Sequence, residues 1–213
     1  MPVIKLTRLN HLSSWGIWKV EETVSTLKSM LDGQPYDFRT FNQIHHEKKQ
    51  KEWLAARILI RELLNFQQTP KYQVFTDERG KPFLAESYHQ VSISHCYPYV
   101  LSAFHRHLSI GIDIERIQPK LIKVAPKFLD KRELDYAGRN LRILCSYWCA
   151  KESVYKMHGR HGITFKNHIR LDQLPNDHLG SFNSKLMLPA EEINVTIDFH
   201  YFQGHMICFT NRV

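Results

Sequence analysis

The chain has 213 residues, of which 43% are hydrophobic, and its formal net charge at pH 7 is +8. A chain of this length and composition forms a packed core, as one large domain or two small ones. No run approaches the roughly 18 consecutive apolar residues that span a bilayer, and the N-terminus lacks a signal-peptide layout, so we expect a cytoplasmic protein with no membrane association. The positive charge favours a polyanionic partner: nucleic acid, a phosphate-rich cofactor or an acidic protein.

The first half of the chain shows two helical patterns followed by four extended ones. Apolar residues at three- to four-residue spacing predict an amphipathic helix over residues 17–31, and good helix formers predict another over about 45–64. Arg57 falls in the apolar sector of that second helix, so its guanidinium either pairs with an anionic group or extends outward to solvent. Alternation and turn residues predict strands over residues 72–76, 81–84, 91–94 and 100–104.

The second half begins with a strand over residues 108–115 and continues with two helices. One is predicted over 131–137, and the other runs from an Asn140 cap to Met157, with Gly159 as its stop. Three strands are predicted near residues 182–188, 192–201 and 205–210. This order predicts the α+β class, with two similar halves that each pack a small antiparallel sheet against helices.

The strand over residues 108–115 carries two acidic residues on one face. Alternation places Ile110, Ile112 and Ile114 on the other face, so Asp113 and Glu115 stand about 6–7 Å apart and can lean toward a shared hard cation. Taken alone, the same pattern is more typical of a solvated outer face.

The long helix that ends near Gly159 carries three charged residues of interest. Glu152 and Lys156 are four apart and project from one side, which suits either a site or an ordinary surface ion pair. Lys151 interrupts the apolar stripe, so its ammonium needs an anionic partner or must reach solvent.

Other polar residues suggest weaker sites. Ser94 and His95 end a strand, and Lys81 lies beside a turn glycine. Each of these positions suits either a phosphate contact or an ordinary loop residue. Ser94 and His95 point to opposite faces of a strand, which argues against a hydrolase triad. The four cysteines lack disulfide or CxxC spacing, so we expect reduced thiols. A zinc site using Cys145, Cys149, His158 and His161 is a minor alternative.

Four segments in order resemble the signatures of the 4′-phosphopantetheinyl transferase superfamily, in its long, single-chain surfactin-type branch. They are Gly80-Lys81-Pro82, Ile93-Ser94-His95, Gly111-Ile112-Asp113-Ile114-Glu115 and Trp148-x-x-Lys151-Glu152-Ser153-x-x-Lys156-x-x-Gly159. The likeness extends over about residues 40–170.

The resemblance implies a pseudo-dimeric α+β fold and a holo-[acyl-carrier-protein] synthase activity. Such an enzyme moves the 4′-phosphopantetheine group from coenzyme A to a serine of an apo acyl or peptidyl carrier protein and releases adenosine 3′,5′-bisphosphate. It implies that residues 1–107 bind coenzyme A, and that residues 108–213 hold magnesium and dock the carrier. Asp113, Glu115 and Glu152 match the magnesium ligands. Glu152 also matches the general base, and Lys156 the residue that steadies the leaving group.

The resemblance further implies a set of coenzyme contacts and a docking segment. The contacts are Lys51, Arg57, Lys81, Ser94, His95, Lys151 and Lys156, and by looser alignment Lys48 joins the basic helix. Residues 119–129 match the segment where relatives dock the carrier. We expect a monomer with no nucleic-acid partner. The alternatives are a catalytically silent relative that binds coenzyme A or a carrier, and a basic nucleic-acid-binding module.

Overall fold

The structure is a computed structural model that describes residues 3–32, 38–70, 72–159, 162–171, 180–189 and 191–212. The chain divides into two compact units, Met1–Leu108 and Ser109–Val213. Each unit packs an antiparallel sheet against a long helix, so the predicted α+β class is confirmed. Among the described residues, no helix is long and apolar enough to cross a membrane.

The N-terminal unit is built on a four-stranded sheet with the order β1-β2-β6-β5, and β3 and β4 pair as a separate hairpin. Its elements are β1 (Val3–Arg8), β2 (Ser13–Lys19), α1 (Val24–Leu31), α2 (Phe38–Asn42), α3 (Glu47–Phe66), β3 (Val74–Thr76), β4 (Pro82–Leu84), β5 (Gln90–Cys96) and β6 (Tyr99–His105).

Helix α3 is the central packing element of this unit. Its buried residues Leu54, Ile58 and Leu59 pack with Trp18 and Val100 of the sheet. Full burial of each such side chain contributes about 1.5–3 kcal/mol, so this helix is fixed firmly on the sheet. The cavity described below lies along it.

The prediction of a helix over residues 17–31 is wrong in its first part. Ile17 and Trp18 belong to β2, which pairs with β1 on one side and β6 on the other. Almost every residue of β2 is buried, so its apolar residues do not alternate with polar ones and imitate helical spacing. The helix begins only after Thr23, whose Oγ1 accepts a hydrogen bond from the Thr26 amide at 3.1 Å.

The C-terminal unit is built on a five-stranded antiparallel sheet with the order β7-β11-β10-β9-β8. Its elements are β7 (Ile110–Arg116), α4 (Lys120–Phe128), α5 (Lys131–Ala137), α6 (Leu141–His158), α7 (Phe165–His168), β8 (Ile169–Leu171), β9 (Gly180–Met187), β10 (Glu192–Phe202) and β11 (His205–Arg212).

Helix α6 begins and ends where the sequence predicts. The Asn140 side chain caps it by accepting hydrogen bonds from the amides of Arg142 and Ile143, and Gly159 ends it in the left-handed conformation at φ +69°. The helix packs against β7 and β11. A Cβ at Gly111 of β7 would lie 1.8 Å from the Ser153 carbonyl oxygen, so only glycine permits this approach.

Candidate active site

The acidic face of β7 packs against α6. Asp113 is only 3% exposed. The ammonium of Lys156, on α6, donates to Asp113 Oδ1 at 2.7 Å and to the Ile112 carbonyl at 3.3 Å. The structure therefore brings together two residues that are 43 positions apart in the chain.

Glu115 is held on the same side by the indole of Trp148. The Trp148 Nε1 donates to Glu115 Oε1 at 2.9 Å, and the Trp148 ring meets the Phe128 ring edge-on at 4.9 Å. Glu115 and Glu152 both line a cavity of about 580 Å³ whose other walls are mainly apolar. The remaining lining residues are Lys120, Leu121, Val124, Lys127, Phe128, Trp148, Ile163, Thr164 and Phe165.

Helix α4, within the predicted docking segment, forms one side of this cavity. It buries Leu121, Ala125 and Phe128 in the core. Its lysines, Lys120, Lys123 and Lys127, are exposed. The segment therefore presents a row of positive charge beside an apolar cavity that contains two carboxylates.

The three carboxylates influence one another electrostatically. Burial raises the pKa of Glu152 to about 7, and repulsion from Asp113 adds to the rise while Lys156 opposes it. Burial also raises the pKa of Glu115, again with a contribution from Asp113. The raised pKa values show that several negative charges close together are unfavourable here, and a bound cation would relieve that repulsion.

The donor set fits magnesium in its chemistry. Carboxylate oxygens are the ligands that this ion prefers, and the mutual repulsion of Asp113, Glu115 and Glu152 is what a bound cation would relieve. Within the described part of the chain, no group of three or more His, Cys, Asp or Glu side chains is already arranged to hold a metal ion. The carboxylates would have to turn toward one another to share one.

Lys151 has a different position from the one that the family resemblance implies. Its ammonium is fully buried and donates to Glu133 Oε2 at 2.7 Å and to the carbonyls of Ile169 at 2.9 Å and Phe165 at 3.1 Å. The expected anionic partner therefore exists, and it is Glu133. With three acceptors around it and no exposed surface, the ammonium has a structural role in this unit, and the coenzyme contact that the resemblance implies stays a prediction.

A second cavity lies within the N-terminal unit and contains two of the predicted coenzyme contacts. It has a volume of about 330 Å³ and is lined by Ile44, Lys49, Glu52, Trp53, Ala56, Arg57, Ile93 and His95. The Arg57 guanidinium lies over the Trp53 ring, 3.3 Å from its centroid, and donates to the Trp53 carbonyl and to Thr76 Oγ1. Arg57 therefore does not extend to solvent, since it is only 6% exposed.

Ser94 and His95 separate as strand geometry requires. His95 lines the second cavity, whereas Ser94 is buried and does not line it. The structure thus places these two predicted phosphate contacts on different faces of β5.

The remaining predicted coenzyme contacts lie at the margins of the N-terminal unit. Lys51 forms an ion pair with Glu47 at 2.8 Å, and Lys48 lies over the Tyr97 ring at 4.8 Å. Lys81 follows the turn at Gly80, and burial lowers the pKa of its ammonium while Asp77 opposes the change.

The cysteines do not support the zinc alternative. None of the four, all within the described residues, forms a disulfide, as expected. Cys145 donates to the Glu115 carbonyl and Cys149 to the Met206 carbonyl, and burial raises the pKa of both thiols. Both thiols therefore have backbone hydrogen bonds in the core of the C-terminal unit. Of the two histidines of that alternative, His158 ends α6 and His161 lies outside the described residues.

Two residues of these sites have no place in the sequence-based prediction. Glu133, the partner of Lys151, also forms a capping box with Asp130, and the Asp-x-x-Glu spacing before a helix would have indicated it. Glu52 is buried beside His95 and Lys49. No pattern in the sequence distinguishes it from the other acids of α3, Glu47 and Glu62.

Comparison with known proteins places the sequence in a family. A sequence model described as 4′-phosphopantetheinyl transferase superfamily matches residues 109–209, and one described as 4′-phosphopantetheinyl transferase N-terminal domain matches residues 41–105.

Two curated relatives are similar over part of their length. The chain is 33% identical over 115 residues to 4′-phosphopantetheinyl transferase gsp of Aneurinibacillus migulanus, a match that covers 50% of this chain and 48% of the relative. It is 29% identical over 127 residues to 4′-phosphopantetheinyl transferase Sfp of Bacillus subtilis (strain 168), covering 55% of this chain and 56% of the relative. The chain thus spans about half the length of the curated relatives it matches. Because the two family models together cover most of the sequence, the chain belongs to the 4′-phosphopantetheinyl transferase superfamily.

Proposed function

We propose that this protein transfers the 4′-phosphopantetheine group from coenzyme A to a serine hydroxyl of an apo acyl or peptidyl carrier protein. The serine oxygen forms a bond to the β-phosphorus of the coenzyme, the pyrophosphate bridge breaks, and adenosine 3′,5′-bisphosphate leaves. The family membership and the names of the two relatives support this reaction. We further propose a monomeric, cytoplasmic enzyme, as the sequence predicts.

One observation carries the proposal. Asp113 and Glu115 on β7 lie against the helix that bears Glu152 and Lys156, and these four charged groups influence one another electrostatically. A phosphate-transfer site needs this combination of acidic metal ligands, a base and a cation that meets a leaving phosphate.

Asp113, Glu115 and Glu152 would hold a magnesium ion. When bound, the ion would polarise the phosphate under attack and neutralise charge on the leaving phosphate. A cation in this position would also favour the ionised form of Glu152, because it offsets the repulsion that raises the pKa of this carboxyl group.

Glu152 and Lys156 have complementary roles in the proposed reaction. In its ionised form, which a bound cation would favour, Glu152 would accept the proton of the serine hydroxyl, directly or through a water molecule. The Lys156 ammonium, 28% exposed and one helical turn away, is available to the oxygen that leaves with the adenosine bisphosphate. Its ion pair with Asp113 keeps it oriented toward the carboxylates.

The two cavities give each half of the chain a role in the proposal. The N-terminal cavity, with Arg57 and His95, is proposed to bind a phosphate of coenzyme A. The α4 segment is proposed to dock the carrier, since its exposed lysines complement an acidic helix.

The test is a mass measurement on apo-carrier proteins. Purified protein, magnesium and coenzyme A are incubated with apo-carriers from fatty-acid, polyketide and nonribosomal-peptide pathways, and each product is weighed by mass spectrometry. We expect at least one carrier to gain one phosphopantetheine group. The Glu152→Gln variant serves as the control and should remain folded and inactive.

Two other outcomes would favour the alternatives. If coenzyme A binds but no carrier is modified, the chain is a silent relative. If DNA raises the melting temperature and coenzyme A with magnesium does not, a nucleic-acid-binding module is favoured.

A further inference from the structure

Helix α6 holds both the backbone and the side chain of Glu115. The Cys145 thiol donates to the Glu115 carbonyl oxygen at 3.6 Å, and the Trp148 indole donates to Glu115 Oε1 at 2.9 Å. Cys145 and Trp148 are three residues apart on the helix and therefore lie on the same face. Glu115 is thus attached to α6 at two points, and the Trp148 contact fixes the carboxylate itself.

The indole ring of Trp148 is in turn held by two aromatic rings. The Phe128 ring, at the end of α4, meets it at a centroid distance of 4.9 Å, and the Phe165 ring, at the start of α7, meets it at 5.6 Å. All three rings line the cavity of about 580 Å³ in the C-terminal unit. A ring packed between two neighbours has little freedom to turn, so the direction of its N–H group is fixed.

An indole N–H is a suitable partner for a metal-binding carboxylate. The indole nitrogen only donates, so it does not compete with the carboxylate for a cation, and it uses one of about four acceptor positions on the two oxygens. A carboxylate that is oriented before the cation arrives loses less conformational entropy on binding. Residues that hydrogen-bond to metal ligands therefore affect metal affinity without touching the metal.

We propose that Trp148 is a positioning residue for magnesium, and that its indole N–H holds the Glu115 carboxylate in place at the wall of the cavity. Trp148 contacts the ligand and not the ion. The inference rests on the proposed function for the identity of the cation. It also gives a role to the tryptophan that begins the Trp148-x-x-Lys151-Glu152 motif, to which the sequence alone assigns none.

The first experiment measures magnesium binding by calorimetry, with and without coenzyme A and in the absence of a carrier. Trp148→Phe keeps an aromatic ring and removes the N–H donor, and we expect the Kd for magnesium to rise about tenfold or more. Trp18→Phe is the matched control. The Trp18 indole donates to Glu22 Oε2 at 3.3 Å in the N-terminal unit, so the same substitution removes the same kind of hydrogen bond outside the cavity lining. The control should bind magnesium like the wild type.

Two further measurements distinguish positioning from general support of the fold. In steady-state transfer, saturating magnesium should restore kcat of Trp148→Phe to within about twofold of the wild-type value. A residue that only maintained the fold would not be rescued by the ion. In a Glu115→Gln background, Trp148→Phe should change the Kd for magnesium less than about twofold, because the carboxylate through which it acts is already gone.

Tryptophan fluorescence keeps the inference testable if Trp148→Phe does not fold. The emission of an indole depends on the charge near its N–H group, so magnesium bound by Glu115 should change the emission of Trp148. The other three tryptophans all precede residue 108. We expect the magnesium-dependent change to persist in Trp18→Phe and to disappear in Glu115→Gln. An emission that saturating magnesium leaves unchanged would contradict the inference.

Three other results would overturn it. They are an unchanged Kd for magnesium in Trp148→Phe, additive effects of the Trp148 and Glu115 substitutions, or a loss of kcat that magnesium does not restore. A wild-type protein that binds magnesium but modifies no carrier defeats the proposed transfer and leaves the binding test of Trp148 intact. A wild-type protein that modifies a carrier without binding magnesium defeats the inference alone.

Discussion

Nζ of Lys156 lies 2.7 Å from Oδ1 of Asp113, which makes a helix and a strand from distant parts of the chain share one ion pair. The carboxylate is almost completely buried, whereas the lysine is partly exposed. The lysine therefore supports the fold by compensating a buried charge, and it is also close enough to the cavity carboxylates to take part in chemistry.

Replacement of Lys156 by Met should affect both stability and rate. Asp113 would lose its ion-pair partner, so we expect the free energy of unfolding of the metal-free protein to fall by about 1–3 kcal/mol. Transfer should slow by a factor of about 10²–10⁴. Magnesium should raise the melting temperature of the variant more than that of the wild type.

Lys185→Met is the control for this prediction. It removes an exposed ion pair with Glu192 and should change the free energy of unfolding and the transfer rate little. Equal behaviour of the two variants would contradict the dual role.

The stability of the metal-free protein should depend on pH through Glu152. Its pKa is raised from 4.5 to about 7, so the folded state binds the proton more tightly than the unfolded state. The free energy of unfolding should therefore decrease as pH rises from about 4.5 to 7. Denaturant titrations at several pH values measure this slope. Glu152→Gln should flatten it, and magnesium should stabilise the wild type more at pH 7.5 than at pH 5.5. A slope unaffected by Glu152→Gln would assign the effect elsewhere.

Gly111 should be intolerant of any side chain. Alanine there would place Cβ 1.8 Å from the Ser153 carbonyl oxygen, and backbone of α6 has no room to move without separating helix from strand. We expect a loss of at least about 3 kcal/mol in unfolding free energy, or failure to fold. Gly16→Ala is the matched control, because the nearest atoms there, on Leu6 and Leu59, are flexible side-chain ends. Similar losses at both positions would argue against the close helix approach.

The buried pair of Lys151 and Glu133 gives a test of whether Lys151 supports the fold or contacts coenzyme A. Lys151→Met alone leaves Glu133 without its cation, and we expect a loss of about 3–5 kcal/mol. Adding Glu133→Gln should recover much of that loss. The double variant should then bind coenzyme A with the wild-type Kd, measured by calorimetry. A stable double variant with weakened binding would support the phosphate contact that the family resemblance implies.

Charge reversal on α4 should act on the carrier and not on coenzyme A. With Lys123→Glu and Lys127→Glu together, we expect KM for an acidic apo-carrier to rise about tenfold or more, mainly through slower association, while KM for coenzyme A stays constant. Arg139→Glu, at an exposed position outside α4, is the control. If the control raises KM for the carrier as much as the α4 variant, general charge rather than the α4 surface attracts the carrier.

Much of the fold follows from local sequence signals. The caps at Asn140 and Gly159 define α6, because side-chain and backbone preferences at helix ends act over only a few residues. The early strand was not predictable in the same way. Ile17 and Trp18 lie in a strand flanked by two others, and burial of nearly every residue removes the alternation that would reveal it.

The candidate site, like the fold, was predictable only in part. Ordered motifs identify Asp113, Glu115, Glu152 and Lys156, but they do not say which charged residues face inward. Alternation alone favours a solvated Asp113, and it is the docking of α6 on β7 that buries this residue. Glu52 and Glu133 escape detection because their importance depends on partners that are 43 and 18 positions away, a relationship present only in three dimensions.

Lys151 and Glu152 are adjacent in the chain but have different surroundings. The ammonium of Lys151 is buried against α5 and β8, whereas Glu152 lines the cavity. An activity screen alone would score both positions as essential. Measured together with the yield of folded protein, the same screen would separate a residue that maintains the fold from one that acts in the proposed transfer. Redesign for new carriers or coenzyme analogues should therefore vary the cavity side of α6 and leave its Glu133-facing side unchanged.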